Sequence, residues 1–193
     1  MIRSIATLFF TSLVAISANA KDKSIDAFVT EMTKANEFCY SVSAMASVSV
    51  NLRNEGDSLE NQLARKKEKL TEGEYNLVES IVKQIYEKDL TDPSKVASDS
   101  HQACIEIKGF AKYYYPKAIE VCPLVGTMVA EVSSLKAAGK TEQEIDELLG
   151  ARYKDIKTTS GKSVLGVAKQ YATQNSGLFE YKMCMIVGMA PSK

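Results

Sequence analysis

Four cysteines set the frame of this chain: Cys39, Cys104, Cys122 and Cys184. They fall into two spans of similar length, with 65 positions from Cys39 to Cys104 and 62 from Cys122 to Cys184. Other features keep the same order inside each span. Thirteen residues after the first cysteine stands a leucine, Leu52 or Leu135, and seventeen after it a glycine, Gly56 or Gly139. Two residues beyond the glycine stands a hydroxyl residue, Ser58 or Thr141, and three further on Asn61 or Glu144. This is the grammar of a helix, a turn and a second helix. Glycine takes the left-handed conformation that closes a helix, and the hydroxyl caps the next one. Thr141 with Glu144 spells a full capping box. The expected fold is therefore all-α, built as two related helical halves of tandem helix-turn-helix repeats.

Four cysteines allow three pairings. If the halves are duplicates, the simplest bonds are Cys39–Cys104 and Cys122–Cys184. The crossed set, Cys104–Cys122 with Cys39–Cys184, would instead tie the halves together. Disulfides themselves are expected from the start of the chain. Arg3 is followed by an apolar run over 5–16, and Ala18-Asn19-Ala20 offers a small-x-small cleavage site before Lys21. That order of features is a cleavable export signal over 1–20, with Lys21 as the new N-terminus. Export implies an oxidising compartment, periplasmic or secreted, in which paired cysteines oxidise. No other stretch reads as a transmembrane span, so no stable membrane insertion is expected after cleavage.

The remaining 173 residues suit one domain or two small ones. We divide them into a first half over 21–110, a join over 111–116 and a second half over 117–193. Arg3 is the one charge in the signal, which leaves 23 basic against 24 acidic residues. So neutral a chain lacks the basic field that nucleic acid demands.

Helical spacing is clear at 25–35, 58–70 and 72–86, and Asp92-Pro93 is a cap followed by an N1 proline. The stretch 42–50 partly alternates and could be a strand by propensity. Its counterpart at 125–138 reads as helix, and that settles it as helix. Helices at 124–135, 141–153, 163–171 and 178–189 bring the count to eight or nine.

Chemistry is hard to find. His101 is the single histidine. Its neighbours Asp99 and Ser100 would point away from it on a helix, so it reads as a surface residue near a helix start. Acidic groups such as Glu144, Asp146 and Glu147, or Glu72 with Glu74, are what any solvated helix face offers. The basic run at 65–69 reads the same way. Met183, Met185 and Met189 around Cys184 could attract copper(I), but core packing is the better reading of them. No catalytic residue, metal ligand or cofactor-binding residue is expected. The least ordinary segment is the join, where Tyr113, Tyr114 and Tyr115 follow Phe110. Three consecutive tyrosines cannot all face one core, so at least one ring should be exposed, and Tyr113, Tyr114 and Tyr115 are the expected partner-binding residues; the alternative is that they pack the two halves together.

The set Cys39, Ala44, Leu52-Arg53-Asn54-Glu55-Gly56, Ser58, Tyr86 and Cys104 resembles small helical two-cysteine exported proteins of Gram-negative bacteria and their phages, here in tandem. That resemblance carries no catalytic residues. The expected function is a non-catalytic protein-binding protein. One form of it is an inhibitor or immunity-type protein against a cell-wall-degrading enzyme. The rivals are a small-ligand carrier with an apolar cavity and an enzyme whose site the sequence does not display.

Overall fold

The computed structural model describes residues 25–68, 72–153, 165–166, 168–170, 172 and 177–190. The export signal at 1–20 and the start of the helix expected at 163–171 lie outside the described residues. The fold is all-α. Its helices are α1 (Ile25–Asn54), α2 (Leu59–Lys67), α3 (Glu72–Glu87), α4 (Pro93–Ile107), α5 (Pro116–Ala137), α6 (Glu142–Arg152) and α7 (Gly177–Val187), with a 3-10 turn at Ala111–Tyr113. Leu165, Gly166 and residues 168–170 are helical as well.

The turns form as their residues dictate. Gly56 and Gly139 both have positive φ, 90° and 76°. At each, the glycine N–H returns to the carbonyl three back, and the next N–H returns to Leu52 or Leu135. These are Schellman closures, which satisfy carbonyls that the helix end would leave bare. Ser58 then accepts the N–H of Asn61, and Thr141 with Glu144 forms the complete capping box. Asp92 caps α4 through the N–H of Lys95, ahead of Pro93.

Two disulfides staple the helices. Cys39–Cys104 joins α1 to α4, and Cys122–Cys184 joins α5 to α7, each with Cα atoms 5.5 Å apart. The pairings within each half are therefore the ones formed, and the crossed set is not. They mark an oxidising, extracytoplasmic setting.

Among the described residues, three clusters make the core. The central one holds both disulfides together with Met32, Tyr40, Ile105, Tyr114, Ile119 and Tyr181, so it draws on both sides of the join. A second lies among α1, α3 and α4, around Val50, Ile81 and Ile85. A third lies between α5 and α6, around Met128, Ile145 and Tyr153, with Leu165 and Ala168.

Helix α1 explains the alternation at 42–50. It is buried on two sides. Val42, Ala46 and Val50 face α3 and α4. A second stripe, at helical spacing, meets three tyrosines, one from the join and two from beyond it. The Asn36 side chain donates to the Tyr114 hydroxyl, 2.6 Å away. Tyr40 stacks on Tyr181 with centroids 4.7 Å apart. The Tyr153 side chain lies beside Ser47 and Asn51. Valines and serines thus alternate because two adjacent faces of one helix are covered by different neighbours.

Helix α5 corrects one expectation. Over 22 residues it is long and apolar enough to cross a membrane by length and composition alone. In the fold its Ile119, Met128, Val129 and Val132 are buried core side chains. A core helix flanked on two sides needs the same composition as a spanning one.

Gly126 of α5 allows a close approach of α1 and α7. A Cβ there would lie 2.6 Å from the Tyr40 ring and 2.8 Å from the Gly177 carbonyl oxygen. Gly126→Ala is expected to destabilise the fold by about 2 kcal/mol, because backbone must move to admit one methyl. Urea unfolding checks this, and an unchanged midpoint would show that the helices can slide apart freely.

Candidate functional site

The join is shaped by its backbone. Gly109, with φ 77°, ends α4, and the Phe110 N–H returns to Ile105. One 3-10 turn follows, and the chain then extends at Tyr114 (φ −127°, ψ 150°). There it meets the end of α7. The Tyr115 N–H donates to the Gly188 carbonyl, and the Ala190 N–H donates to Tyr113, both at 2.9 Å. Tyr114 and Met189 form an isolated antiparallel bridge.

Extended backbone sends successive side chains to opposite faces. Tyr114 points inward and is only 4% exposed, held by Asn36. Burial pushes its hydroxyl pKa up, and the hydrogen bond from Asn36 pulls the other way. Tyr113 is half-buried, edge-on to Phe28 with centroids 5.0 Å apart, and Lys112 lies over its ring. Tyr115 is 52% exposed. It stands at the start of α5, ahead of Pro116, and its side chain makes no capping bond. The three rings therefore divide between core, flank and solvent.

Tyr115 has apolar company. Gly188, to which it is hydrogen-bonded, lies between Val187 and Met189, and both of these are exposed. The outer face of α7 continues the patch with Phe179, Met183 and Ile186, at i, i+4 and i+7. Its inner face is Gly177, Tyr181 and Met185. Methionine thus serves in both places. Met185 fills the core as expected, whereas Met183 and Met189 are surface residues. The sequence did carry a signal for this face: 177–189 holds more apolar residues than one core-facing stripe can absorb. An exposed apolar stretch of this kind marks an interaction surface more often than a random scatter does.

His101 also departs from expectation. It is fully buried in the middle of α4, not on the surface near a helix start. Nδ1 lies 2.8 Å from the Ile119 carbonyl and Nε2 lies 2.8 Å from the Tyr181 hydroxyl. A carbonyl can only accept, so Nδ1 carries the hydrogen and Nε2 accepts from Tyr181. Burial lowers the His101 pKa to about 4, with the Ile119 bond opposing. Its partners lie 18 and 80 positions away, which local reading could not reveal. Asp99 is turned elsewhere and pairs with Lys95. His101 is therefore a neutral strut connecting α4, α5 and α7.

Glu131 is a part-buried carboxylate. The Tyr153 hydroxyl donates to it at 2.6 Å, and Arg152 lies 3.6 Å away. Burial raises its pKa, against the pull of Tyr153 and Arg152. Arg152 also reaches Glu55 at the end of α1, 3.1 Å away. Glu144, Asp146 and Glu147 are engaged locally. Glu144 caps α6, which holds its pKa down at about 2. Asp146 pairs with Lys169, and Glu147 accepts from Gln143.

Among the described residues every cysteine is in a disulfide, and no group of three or more His, Cys, Asp or Glu is placed to hold a metal ion. A groove of about 610 Å³ runs between α4 and α5, open to solvent and lined by both polar and apolar side chains. No family model matches the chain, and no curated protein or solved structure shows significant similarity to it.

Proposed function

We propose that this is an exported, periplasmic protein that acts by binding another protein and carries out no chemistry of its own. The observation that carries this reading is the apolar patch formed by Tyr115, Val187, Met189 and the outer face of α7. The patch sits on a frame stapled close by, since Cys122–Cys184 ties α5 to α7. A rigid support lowers the ordering cost of association, and exposed aromatic residues are enriched among the side chains that dominate interfaces. One form of this function is an inhibitor or immunity-type protein directed at a cell-wall-degrading enzyme, a form that rests on association with small stapled helical proteins of that compartment.

The test separates the three tyrosines. A partner is captured from periplasmic extract on the mature protein, and the affinity of single variants for it is then measured. Tyr115→Ala is expected to fold normally and to weaken binding about thirtyfold, the effect of removing a central interface aromatic. Tyr114→Phe is expected to leave affinity unchanged and to cost about 1 kcal/mol of stability, since it strips the Asn36 amide of its acceptor. Wild-type affinity in a well-folded Tyr115→Ala protein would remove this patch from the interface.

A further inference from the structure

The groove between α4 and α5 has a chemical character of its own. Its α4 wall carries Asp92, Asp99 and Glu106 at intervals of seven residues, and its α5 wall carries Glu120. Seven residues of helix rise about 10 Å, so the three α4 carboxylates span about 21 Å along one face. Lys95 is the one cation among the lining residues. It pairs with Asp99, and Lys117 pairs with Glu120 from outside the groove, both at 2.8 Å. Such exposed pairs are worth little and exchange readily for an incoming cation. Between the walls lies an apolar floor that includes Pro116, Ile119 and Leu124.

A second observation points to an occupant. Ser94 lines the groove, is more than nine-tenths buried, and its Oγ has no hydrogen-bond partner. A buried hydroxyl left unmatched is costly, so a rotation of the Ser94 side chain towards a peptide group laid in the groove would be favourable. Ala111 and Pro116, which also line the groove, bracket Tyr113–Tyr115 in the chain. The groove therefore borders the segment that carries Tyr115.

We propose that this groove receives a basic, amphipathic segment of the partner protein, with Lys or Arg side chains about 10 Å apart facing Asp92, Asp99 and Glu106 and apolar side chains on the floor. That spacing is every seventh residue of a helix or every third of an extended strand. The inference rests on the protein-binding reading and assigns the partner's chemistry. The open form and the length suit a chain segment better than a compact small molecule, which prefers a site that encloses most of its surface.

The probe is a synthetic helix-forming peptide of about two heptads, with lysine at every seventh position and leucine along the same face. Its control has glutamate in place of lysine. Binding to the isotope-labelled mature protein is followed by amide chemical shifts at low salt. The lysine peptide is expected to shift amides of 92–106 and 116–124 saturably, to weaken as salt is raised, and to be about tenfold weaker against the D99N/E106Q/E120Q variant. Lys95→Glu, which removes the groove's own cation, is expected to tighten binding. The glutamate peptide is expected to leave the groove amides unmoved. No saturable shift with the lysine peptide, shifts confined to other surfaces, or equal affinity in all the variants would overturn the assignment. That failure is separable from failure of protein binding itself, which is read from Tyr115→Ala against the captured partner and needs no peptide.

Discussion

Replacing Cys39 and Cys104 together with alanine lowers the free energy of unfolding by about 4 kcal/mol, and removing Cys122 and Cys184 as well lowers it by about as much again. Each bond closes a loop of more than 60 residues, 65 and 62 positions apart. Its absence returns the corresponding freedom to the unfolded chain. A domain of this size is stable by only about 5–15 kcal/mol, so the protein without either bond is expected to be largely unfolded at 37 °C. The two bonds meet in the central cluster, where Cys39, Cys104 and Cys122 are fully buried. Chemical denaturation of these two variants, and of a third that lacks only Cys122 and Cys184, gives the loss for each pair directly. A loss below about 1 kcal/mol for either pair would mean that packing alone holds the central cluster. Non-reducing peptide mapping of the wild type checks the pairing itself.

Acid is expected to destabilise the protein by roughly 3 kcal/mol between pH 7 and pH 4 through His101 alone. The sign follows from the two states. The folded state keeps His101 neutral, with its pKa lowered to about 4, whereas the unfolded chain takes up a proton near the ordinary value of 6.5. Stability is therefore complete above about pH 6.5 and drains away as pH falls towards 4. Glu131 acts in the opposite sense. Its raised pKa favours the protonated form in the fold, so its contribution is present at low pH and is lost as pH rises. Glu144 also loses its contribution on acidification, but over a lower range, from 4.5 towards 2. His101→Gln should be less stable at pH 7 and much flatter between pH 6.5 and 4.5. Glu131→Gln should keep the full acid limb. A wild-type stability that does not change over that window would contradict the buried, neutral histidine.

Local features of this fold were legible in the chain, and distant ones were not. Gly56, Gly139, Ser58, Thr141 and the Asp92-Pro93 pair act on backbone within a few residues of themselves. Their conformations follow from their own chemistry. The cysteine pairing was legible because both spans repeat one order of features, and that order reappears as matching closures at Leu52 and Leu135. The division of Tyr113, Tyr114 and Tyr115 was legible only in outline. That they must divide follows from sterics, but Tyr114 is the buried one because α7 ends beside it and draws the join into extended backbone. His101 was misplaced for a related reason. Its sequence neighbours are polar, and its actual partners come from α5 and α7. Met183 and Met189 lie on the surface instead of in the core because an apolar helix reads the same in sequence whether its second face meets a neighbour or solvent. Candidate interaction surfaces are thus the least legible part, being defined by what the rest of the fold leaves uncovered.

The central claim is that Tyr115 and the neighbouring face of α7 form a protein interface. The most direct measurement places a photo-crosslinking aromatic amino acid at Tyr115 in the exported protein and irradiates the intact cell envelope. A second probe at Val48, an exposed residue of α1, serves as the reference surface. The account predicts one discrete adduct with another protein from position 115 and none from position 48. Equal, diffuse labelling from the two positions, or no adduct from position 115, would contradict it.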